Sequence, residues 1–314
     1  MLKRKVTYVL LNGGLGNQLF QYAAALSRSS DEILLEWSMG NPKLNTNGFP
    51  EITDFNSTGD LNLVEFNKSK FYTKLSNFIL IKGLNQLNEN RFRFGNLVLL
   101  IVSKIFYSLR IRKSITVVQG QDNGYNYLGK VARNELLIGY FQTYKWVESI
   151  EVNTKMQQLK LPKKSAGLLE FIQNYKDLNW LLVHVRLGDY NLQKNFGILS
   201  SLYYEQSMKI ATDKNKFEKI LLFSDDPVNA LKLLPAEHLD KIVVAPNFDN
   251  HSAEVLEAMR HAKGYIIANS TLSWWGATLS YAIDPLVIAP IPWFKSSPEP
   301  NLIIPESWVR TKSW

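Results

Sequence analysis

The chain has 314 residues, of which 46% are hydrophobic, including 8 Trp, 14 Tyr and 16 Phe. This length and composition suffice for one large hydrophobic core or two of ordinary size, so a disordered protein is excluded. It has no cysteine, so disulfides and thiolate metal sites are excluded and a reducing compartment is favoured. The formal net charge is +8, but residues 68–113, with ten basic residues and one acid, carry +9, which leaves −1 for the remainder.

The basic window at residues 68–113 admits two interpretations. Its apolar residues recur at helical spacing, which predicts amphipathic helices in an insertion near 66–113. Such helices suit an anionic surface, so peripheral contact with the inner face of the cytoplasmic membrane is one prediction; solvated faces on a packed insertion are the other. No recognition motif accompanies the charge, so nucleic acid is not an expected partner.

Long apolar segments are missing from the sequence. No run approaches the roughly 20 apolar residues that a membrane-spanning helix needs. The apolar stretch after Lys5 ends at Asn12, which is too short for the apolar part of a signal peptide. We therefore expect a cytoplasmic protein.

A β-α-β unit opens the chain. The apolar pattern predicts a strand at 6–11, a helix at 17–28 and a second strand at 33–37. Residues 40–60 are rich in Asn, Gly, Pro, Thr and Ser, and are predicted to form a loop.

The turn after the first strand contains Gly14-x-Gly16, followed about 20 residues later by Glu36, as in dinucleotide-binding proteins. The third glycine of that pattern is missing, because Leu19 and Phe20 stand in its place. An NAD-dependent oxidoreductase therefore stays open as an alternative. Backbone N–H groups of such a turn suit a phosphate; the other interpretation is a tight turn that packs the helix on the strand.

Strands and helices alternate through the rest of the chain. Strands are predicted at 115–119 and 136–140, then a helix at 144–159 and a linker at 162–165. Beyond the linker, the predicted helices are 166–175, 202–212, 252–262 and 272–283, and the predicted strands are 180–187, 219–224, 242–245, 264–268 and 286–289. This alternation predicts a parallel, doubly wound sheet.

The stretch at residues 181–190 joins a buried strand to basic residues. Because strand side chains alternate, His184 and Arg186 should share one face, where two basic groups are costly without an anionic partner. Ligands of open α/β sheets bind just beyond the carboxyl ends of the strands, which favours a phosphate held by the guanidinium of Arg186. An internal ion pair between Arg186 and Asp189 is the alternative.

Two more polar stretches follow predicted strands. Asp225 and Asp226 can hold a metal, cap the next helix or accept hydrogen bonds from guanine, but the chain has no Asp-x-Asp and no third acid nearby. Asn269, Ser270 and Thr271 precede a helix, whose N-terminus suits a phosphate; a simple helix cap is the alternative. The four His lack zinc-ligand spacing, so no metal site is predicted.

Four stretches, in this order, resemble the bacterial α-1,2-fucosyltransferases of glycosyltransferase family 11. They are GGLGNQLFQYA at 13–23, HVRLGD at 184–189, FSDD at 223–226 and IANSTLSWWGA at 267–277. The second matches the H-x-R-R-x-D motif of GDP-fucose-using enzymes, except that Leu187 stands where the family has a second Arg.

The resemblance implies a GT-B fold, with two Rossmann-like, doubly wound α/β domains facing a central cleft. Residues 1–162 would form the acceptor-side domain, with the basic insertion. Residues 166–314 would form the GDP-fucose-binding domain, whose C-terminal tail is expected to pack back on the first domain.

The resemblance also implies inverting transfer of L-fucose from GDP-fucose to the 2-hydroxyl of a galactoside in surface polysaccharide or O-antigen synthesis, with no metal or cofactor. The acceptor would be a galactose-terminated oligosaccharide or glycolipid. Arg186 is the expected catalytic residue and Asp189 the candidate base. The residues expected to bind the donor are His184, Asn17, Asp225, Asp226, Asn269, Ser270 and Thr271. The many aromatic residues also suit a non-catalytic carbohydrate-binding protein, which stays open.

Overall fold

The computed structural model of the chain describes residues 4–55, 61–64, 105, 114–120, 124–188 and 196–314. Of the basic window only Ile105 belongs to these residues, and Asp189 lies outside them. The chain divides into two compact units. The first is Met1–Lys160 with Asn301–Ile303, and the second is Leu161–Pro300 with Ile304–Trp314.

The first unit is built on a five-stranded parallel sheet. Its strands are β1 (Val6–Gly13), β2 (Glu32–Pro42), β3 (Asn62–Val64), β4 (Thr116–Gln119) and β5 (Asn134–Ile138). Their order in the sheet is β3-β2-β1-β5-β4, and every pair is parallel. Helix α1 (Leu15–Leu26) connects β1 to β2 and is buried along nearly its whole length. Helix α2 (Ile150–Gln157) follows β5 in the chain.

The predicted helix at 144–159 is wrong in its extent. The structure has a 3-10 turn at Tyr144–Trp146, and α2 begins only at Ile150. The turn is held from outside the segment, because the indole N–H of Trp146 donates to the Phe141 carbonyl at 2.7 Å and the Tyr144 N–H donates to the Leu302 carbonyl at 3.0 Å. These contacts override the helical pattern of the sequence.

The second unit is built on a six-stranded parallel sheet. Its strands are β6 (Trp180–Val185), β7 (Lys219–Ser224), β8 (Ile242–Val244), β9 (Gly264–Ile266), β10 (Leu286–Ile291) and β11 (Val309–Lys312). Their order is β11-β10-β9-β6-β7-β8. The helices are α3 (Ala166–Tyr175), α4 (Ser201–Lys214), α5 (Pro227–Leu231), α6 (Ser252–Met259) and α7 (Thr271–Thr278).

One core of the second unit lies between β6 and α4. Alternate residues of the strand, Leu181, Val183 and Val185, pack with Tyr203 and Met208 of the helix. By alternation, the even-numbered residues of β6 lie on the other face of the sheet. This arrangement places His184 and Arg186 on the face opposite this core.

The predicted fold class, α/β with two parallel doubly wound units, is confirmed by these sheets and their flanking helices. Two short strands, β3 and β11, were not predicted from the sequence. β11 (Val-Arg-Thr-Lys) is half charged and lies at the edge of its sheet, so the apolar run that marks a buried strand is missing. Among the described residues, no helix combines the length and apolar character needed to cross a membrane.

Candidate functional site

The carboxyl ends of three neighbouring strands form the candidate site of the second unit. β6 lies between β9 and β7, and all three run parallel, so their carboxyl ends meet at one edge. Val185 pairs with Ser224, and Val183 pairs with Ile266. Continuing these registers brings Arg186, Asp225 and Asn269 to the same level just beyond the strands. This edge is where open α/β sheets bind their ligands.

Arg186 forms an ion pair at this edge. Its Nη1 lies 3.0 Å from Oδ2 of Asp225, and 35% of its side chain is exposed. An internal ion pair with Asp189 was one of the two interpretations of Arg186. The structure pairs Arg186 with Asp225. Asp189 lies outside the described residues, so its pair with Arg186 stays a prediction. The Arg186 side chain is thus neither fully buried nor fully exposed at the carboxyl edge.

His184 is buried beside this pair, with 5% of its surface exposed. Its pKa is lowered to about 3, mainly by burial and also by the positive charge of Arg186, while the negative charge of Asp225 acts in the opposite direction. Nδ1 of His184 is buried and has no hydrogen-bond partner in the part of the chain that the structure describes. The imidazole is therefore neutral near pH 7. Of the two basic residues predicted on this face, His184 and Arg186, Arg186 carries the positive charge.

The neighbouring carboxylate, Asp226, caps helix α5. Its Oδ1 accepts from the Asn229 backbone N–H at 3.2 Å, and its Oδ2 accepts from the Asn229 side-chain amide at 2.6 Å. These bonds lower the pKa of Asp226, and Pro227 occupies the first turn of the helix. Of the roles considered for the two acids, capping is thus performed by Asp226.

Asn269 holds two loops to the end of β9. Its amide nitrogen donates to the carbonyls of Phe196 (3.0 Å), Gly197 (3.2 Å) and Trp293 (3.2 Å), and only 2% of the residue is exposed. The amide is therefore a structural anchor for the turn that leads into α7.

Ser270 is the N-cap of α7, and its side chain makes no capping hydrogen bond. Thr271 begins the helix and is half-buried. The first N–H groups of an α-helix have no partner inside the helix, and they carry the positive end of its dipole. Trp274 and Trp275 of this helix are fully buried, so both belong to the core.

The N-terminus of α1, which follows the glycine turn of the first unit, faces a carboxylate of the same chain. The Leu15 N–H donates to Oε2 of Glu51 at 2.7 Å, and Oε1 of Glu51 lies 3.3 Å from Nζ of Lys43. Glu51 is only 4% exposed. An internal anion thus occupies the position at the start of α1 where a dinucleotide pyrophosphate would be expected.

Asn17, the donor-binding candidate of the first unit, is oriented by a neighbour. The side-chain amide of Gln142 donates to Oδ1 of Asn17 at 2.9 Å. Gly13, with a φ of +72°, leaves room for this arrangement, since a Cβ there would press on the Asn17 amide. Gln142 was not among the predicted site residues.

Two glutamines of α1 were also absent from the predicted site residues. Gln18 donates to the carbonyls of Gly13 and Lys43 at 2.9 and 3.0 Å and accepts from the Ile52 N–H, while Gln21 joins Asn12 to Gly139. The available signal was a cluster of amide side chains on a helix whose other residues are almost all apolar. Buried amides of this kind are retained when they satisfy backbone groups.

Among the described residues, no group of three or more His, Cys, Asp or Glu side chains is arranged to hold a metal ion. The absence of a metal from the functional protein stays a prediction.

Comparison with known proteins identifies the family. The model of Glycosyl transferase family 11 matches residues 139–309, more than half of the chain. The chain belongs to glycosyl transferase family 11. The resemblance carried by the four sequence stretches is thereby confirmed, and the oxidoreductase alternative is excluded.

Two curated relatives match this family 11 chain along nearly its full length. The O-antigen biosynthesis glycosyltransferase WbnK of Escherichia coli is 28% identical over 314 residues, which cover 96% of this chain and 99% of the relative. The alpha-1,2-colitosyltransferase of Escherichia coli is 27% identical over 315 residues, covering 96% and 97%. Among solved structures, the fucosyltransferase NodZ from Bradyrhizobium matches with a TM-score of 0.44 and 11% identity, covering 88% of this chain and 94% of that chain.

As a family 11 glycosyltransferase, the chain uses a nucleotide-sugar donor and a glycan acceptor. The matched range contains the whole carboxyl edge formed by β6, β7 and β9, including Arg186, Asp225 and Asn269. Asn17 lies before the matched range and within the part of the chain aligned with the two relatives.

Proposed function

We propose that this protein transfers L-fucose from GDP-fucose to the 2-hydroxyl of a galactoside, with inversion at the anomeric carbon and without a metal ion. The observation that carries the proposal is the partly exposed side chain of Arg186, which pairs with Asp225 at the carboxyl end of β6. The adjacent strand, β9, leads into the N-terminus of α7. A guanidinium and a helix N-terminus on neighbouring strands offer a diphosphate two sources of positive charge.

The reaction explains why this charge is needed. The bond between fucose C1 and the diphosphate oxygen breaks with its electron pair on GDP, while the acceptor oxygen bonds to the opposite face of C1. Negative charge therefore grows on the diphosphate, and Arg186 stabilises the transition state more than the bound donor. Neutral His184 does not share this task, although it stays a proposed donor contact through its buried position at the same edge.

The proton of the acceptor hydroxyl leaves to a base or to solvent. Asp189 stays our candidate base, as the acid nearest to Arg186 in sequence. In a dissociative transition state the hydroxyl becomes acidic late, and a weak base then suffices.

The other donor-binding residues form part of the same proposal. Asp225 or Asp226 is proposed to accept from the N–H groups of guanine, which would distinguish guanine from adenine. Ser270 and Thr271 are proposed to hold the diphosphate through the start of α7, on a turn that Asn269 anchors. In the first unit, Asn17 keeps its predicted role in donor binding, and this unit is proposed to serve the acceptor.

Colitose is the second candidate for the transferred sugar. The relative that is 27% identical along nearly the full length is named as an alpha-1,2-colitosyltransferase. Colitose is fucose without its 3-hydroxyl. A site that hydrogen-bonds this hydroxyl rejects the deoxy sugar by about 10⁴- to 10⁵-fold, because the buried polar groups of the site lose their partners.

We place the reaction in surface polysaccharide or O-antigen synthesis at the inner side of the cytoplasmic membrane, with a galactose-terminated oligosaccharide or glycolipid as acceptor. The name of the 28% identical relative, an O-antigen biosynthesis glycosyltransferase, supports this assignment.

The test is an activity assay with defined donors and acceptors. The purified protein is incubated with GDP-fucose, GDP-colitose or, as a control for the nucleotide alone, GDP-mannose, each with a panel of galactosides in excess EDTA. We expect an α-1,2-linked fucoside, identified by NMR, at a rate that EDTA does not change. Transfer from GDP-colitose alone would replace fucose as the donor sugar. Loss of activity in EDTA that Mg²⁺ or Mn²⁺ restores would contradict the metal-free mechanism, and no transfer from any donor would refute the proposal.

A further inference from the structure

The carboxylate of Asp225 collects three donors from the end of β6. Its Oδ1 accepts from the Leu187 N–H at 2.9 Å, and its Oδ2 accepts from the Gly188 N–H at 2.9 Å. The same Oδ2 pairs with Nη1 of Arg186 at 3.0 Å. The Asp225 side chain, which follows β7, thus contacts three consecutive residues that follow β6.

The glycine at position 188 leaves room for this carboxylate. A Cβ atom at Gly188 would overlap Oδ2 of Asp225. The φ of Gly188 is not among the positive values of the described residues, so backbone strain does not explain the glycine. Its physical reason is the close approach of the Asp225 carboxylate to the backbone.

We propose that Asp225 is the positioning residue of Arg186, and that it orients the guanidinium toward the donor diphosphate instead of contacting guanine. This inference rests on the proposed function, in which Arg186 binds the diphosphate. It removes Asp225 from base recognition and leaves Asp226 as the only one of the two acids in that role.

The benefit of such a residue is preorganisation. Arginine is among the side chains with the most rotamer freedom to lose when a ligand orders it. An ion pair to a carboxylate that two backbone N–H groups hold in place removes part of that freedom before the donor arrives. Misplacement of a reacting or charge-stabilising group by about 1 Å costs on the order of a hundredfold in rate.

Charge repulsion between Asp225 and the diphosphate opposes the positioning effect, so the experiment must distinguish the two. The negative charge of Asp225 repels the diphosphate, so its removal would by itself tighten binding. The structure favours the positioning effect, because the Asp225 carboxylate has three donors around it that partly neutralise its charge.

The experiment compares three probes that share a diphosphate: GDP, ADP and inorganic pyrophosphate. Calorimetry gives the affinity of each probe for the wild type, Asp225→Asn and Asp226→Asn. If Asp225 positions Arg186, then Asp225→Asn weakens all three probes by a similar factor of about tenfold, which lies at the low end of a lost charged hydrogen bond. It lowers kcat/KM with GDP-fucose about a hundredfold, mainly through kcat.

Two further variants control for folding and for general loss of charge. Gly188→Ala should reproduce the Asp225→Asn pattern, because its Cβ displaces the same carboxylate and leaves its charge in place. Glu218→Gln is the matched control. Glu218 accepts the Asn179 N–H at 2.6 Å at the amino end of β6, so its replacement should change neither affinity nor rate.

A double variant separates positioning from an independent contact. Because Asp225 acts through Arg186, adding Asp225→Asn to Arg186→Ala should produce no further loss. Losses that multiply would overturn the proposal. So would weaker binding of GDP alone, which indicates a guanine contact, or tighter binding of pyrophosphate, which indicates that charge repulsion prevails.

The failure of the proposed function gives a different pattern. If the wild type binds all three probes through Arg186 but transfers nothing from GDP-fucose, the proposed donor is wrong, while the equal weakening in Asp225→Asn still supports the positioning role. If the wild type binds none of the three probes, there is no diphosphate at Arg186, and both the function and the positioning role are refuted.

Discussion

Replacing Arg186 with alanine should separate catalysis from stability in this enzyme. The change removes the guanidinium proposed to hold the leaving diphosphate. We expect kcat/KM with GDP-fucose to fall about a thousandfold, on the order of 4 kcal/mol, which is the scale of a lost transition-state donor. Part of this loss should appear in kcat, because the contact strengthens as the bond to fucose breaks.

The fold should survive the same change. The ion pair with Asp225 is partly exposed on both sides, at 35% and 23%, so solvent screening limits its contribution to about 0–1 kcal/mol. Asp225 keeps the N–H groups of Leu187 and Gly188, so no buried carboxylate is left without a partner. The midpoint of thermal unfolding should therefore move by at most about 2–4 °C.

The assay pairs steady-state kinetics with thermal unfolding of the apo protein. Arg186→Lys should recover only a small part of the activity, because an ammonium ion is a point charge and lacks the fork of the guanidinium. Arg4→Ala, which removes an exposed ion pair with Glu32, is the matched control and should leave kcat/KM unchanged. A stable Arg186→Ala enzyme with near-normal turnover would remove Arg186 from the mechanism. Early unfolding would show that its role is structural.

Three other measurements test separate parts of the structure. Glu51→Gln removes the charge that faces the Leu15 N–H at the start of α1, and urea denaturation should show about 1–2 kcal/mol less unfolding free energy; an unchanged midpoint would mean that this carboxylate does not stabilise the helix. His184 is neutral in the folded state because burial lowers its pKa from 6.5 to about 3, so the unfolded chain takes up the proton first as the pH falls. Stability should therefore decline between pH 6.5 and 3 with a slope that approaches about 1.4 kcal/mol per pH unit, and His184→Gln should lack this contribution; equal slopes would argue against a neutral buried imidazole. Finally, if the basic window at 68–113 contacts a membrane, the protein should bind vesicles with anionic lipid and be released by salt, whereas equal binding to neutral vesicles would favour a solvated surface.

Much of the fold could be predicted because the necessary signals are local. The bounds predicted for β7 and α3 agree with the structure, and those of β6, β8 and β10 differ by two residues at most. Apolar runs of strand length that alternate with amphipathic stretches depend only on neighbouring residues. The prediction failed at 144–159, where the start of the segment is held by Phe141 and Leu302 instead of by its own pattern.

The sequence by itself determined the family and predicted the edge of the sheet where the chemistry should lie. Four motifs in order, each at the end of a buried strand, were enough for both. What it left open was how each polar side chain is used, because hydrogen-bond partners depend on strand order and register. Only the tertiary structure pairs Arg186 with Asp225, which lies 39 residues away in the chain but opposite Arg186 when the β6–β7 register is continued. Only the tertiary structure brings Glu51 to the start of α1, where a carboxylate of the chain occupies a position that the glycine turn alone would assign to a phosphate.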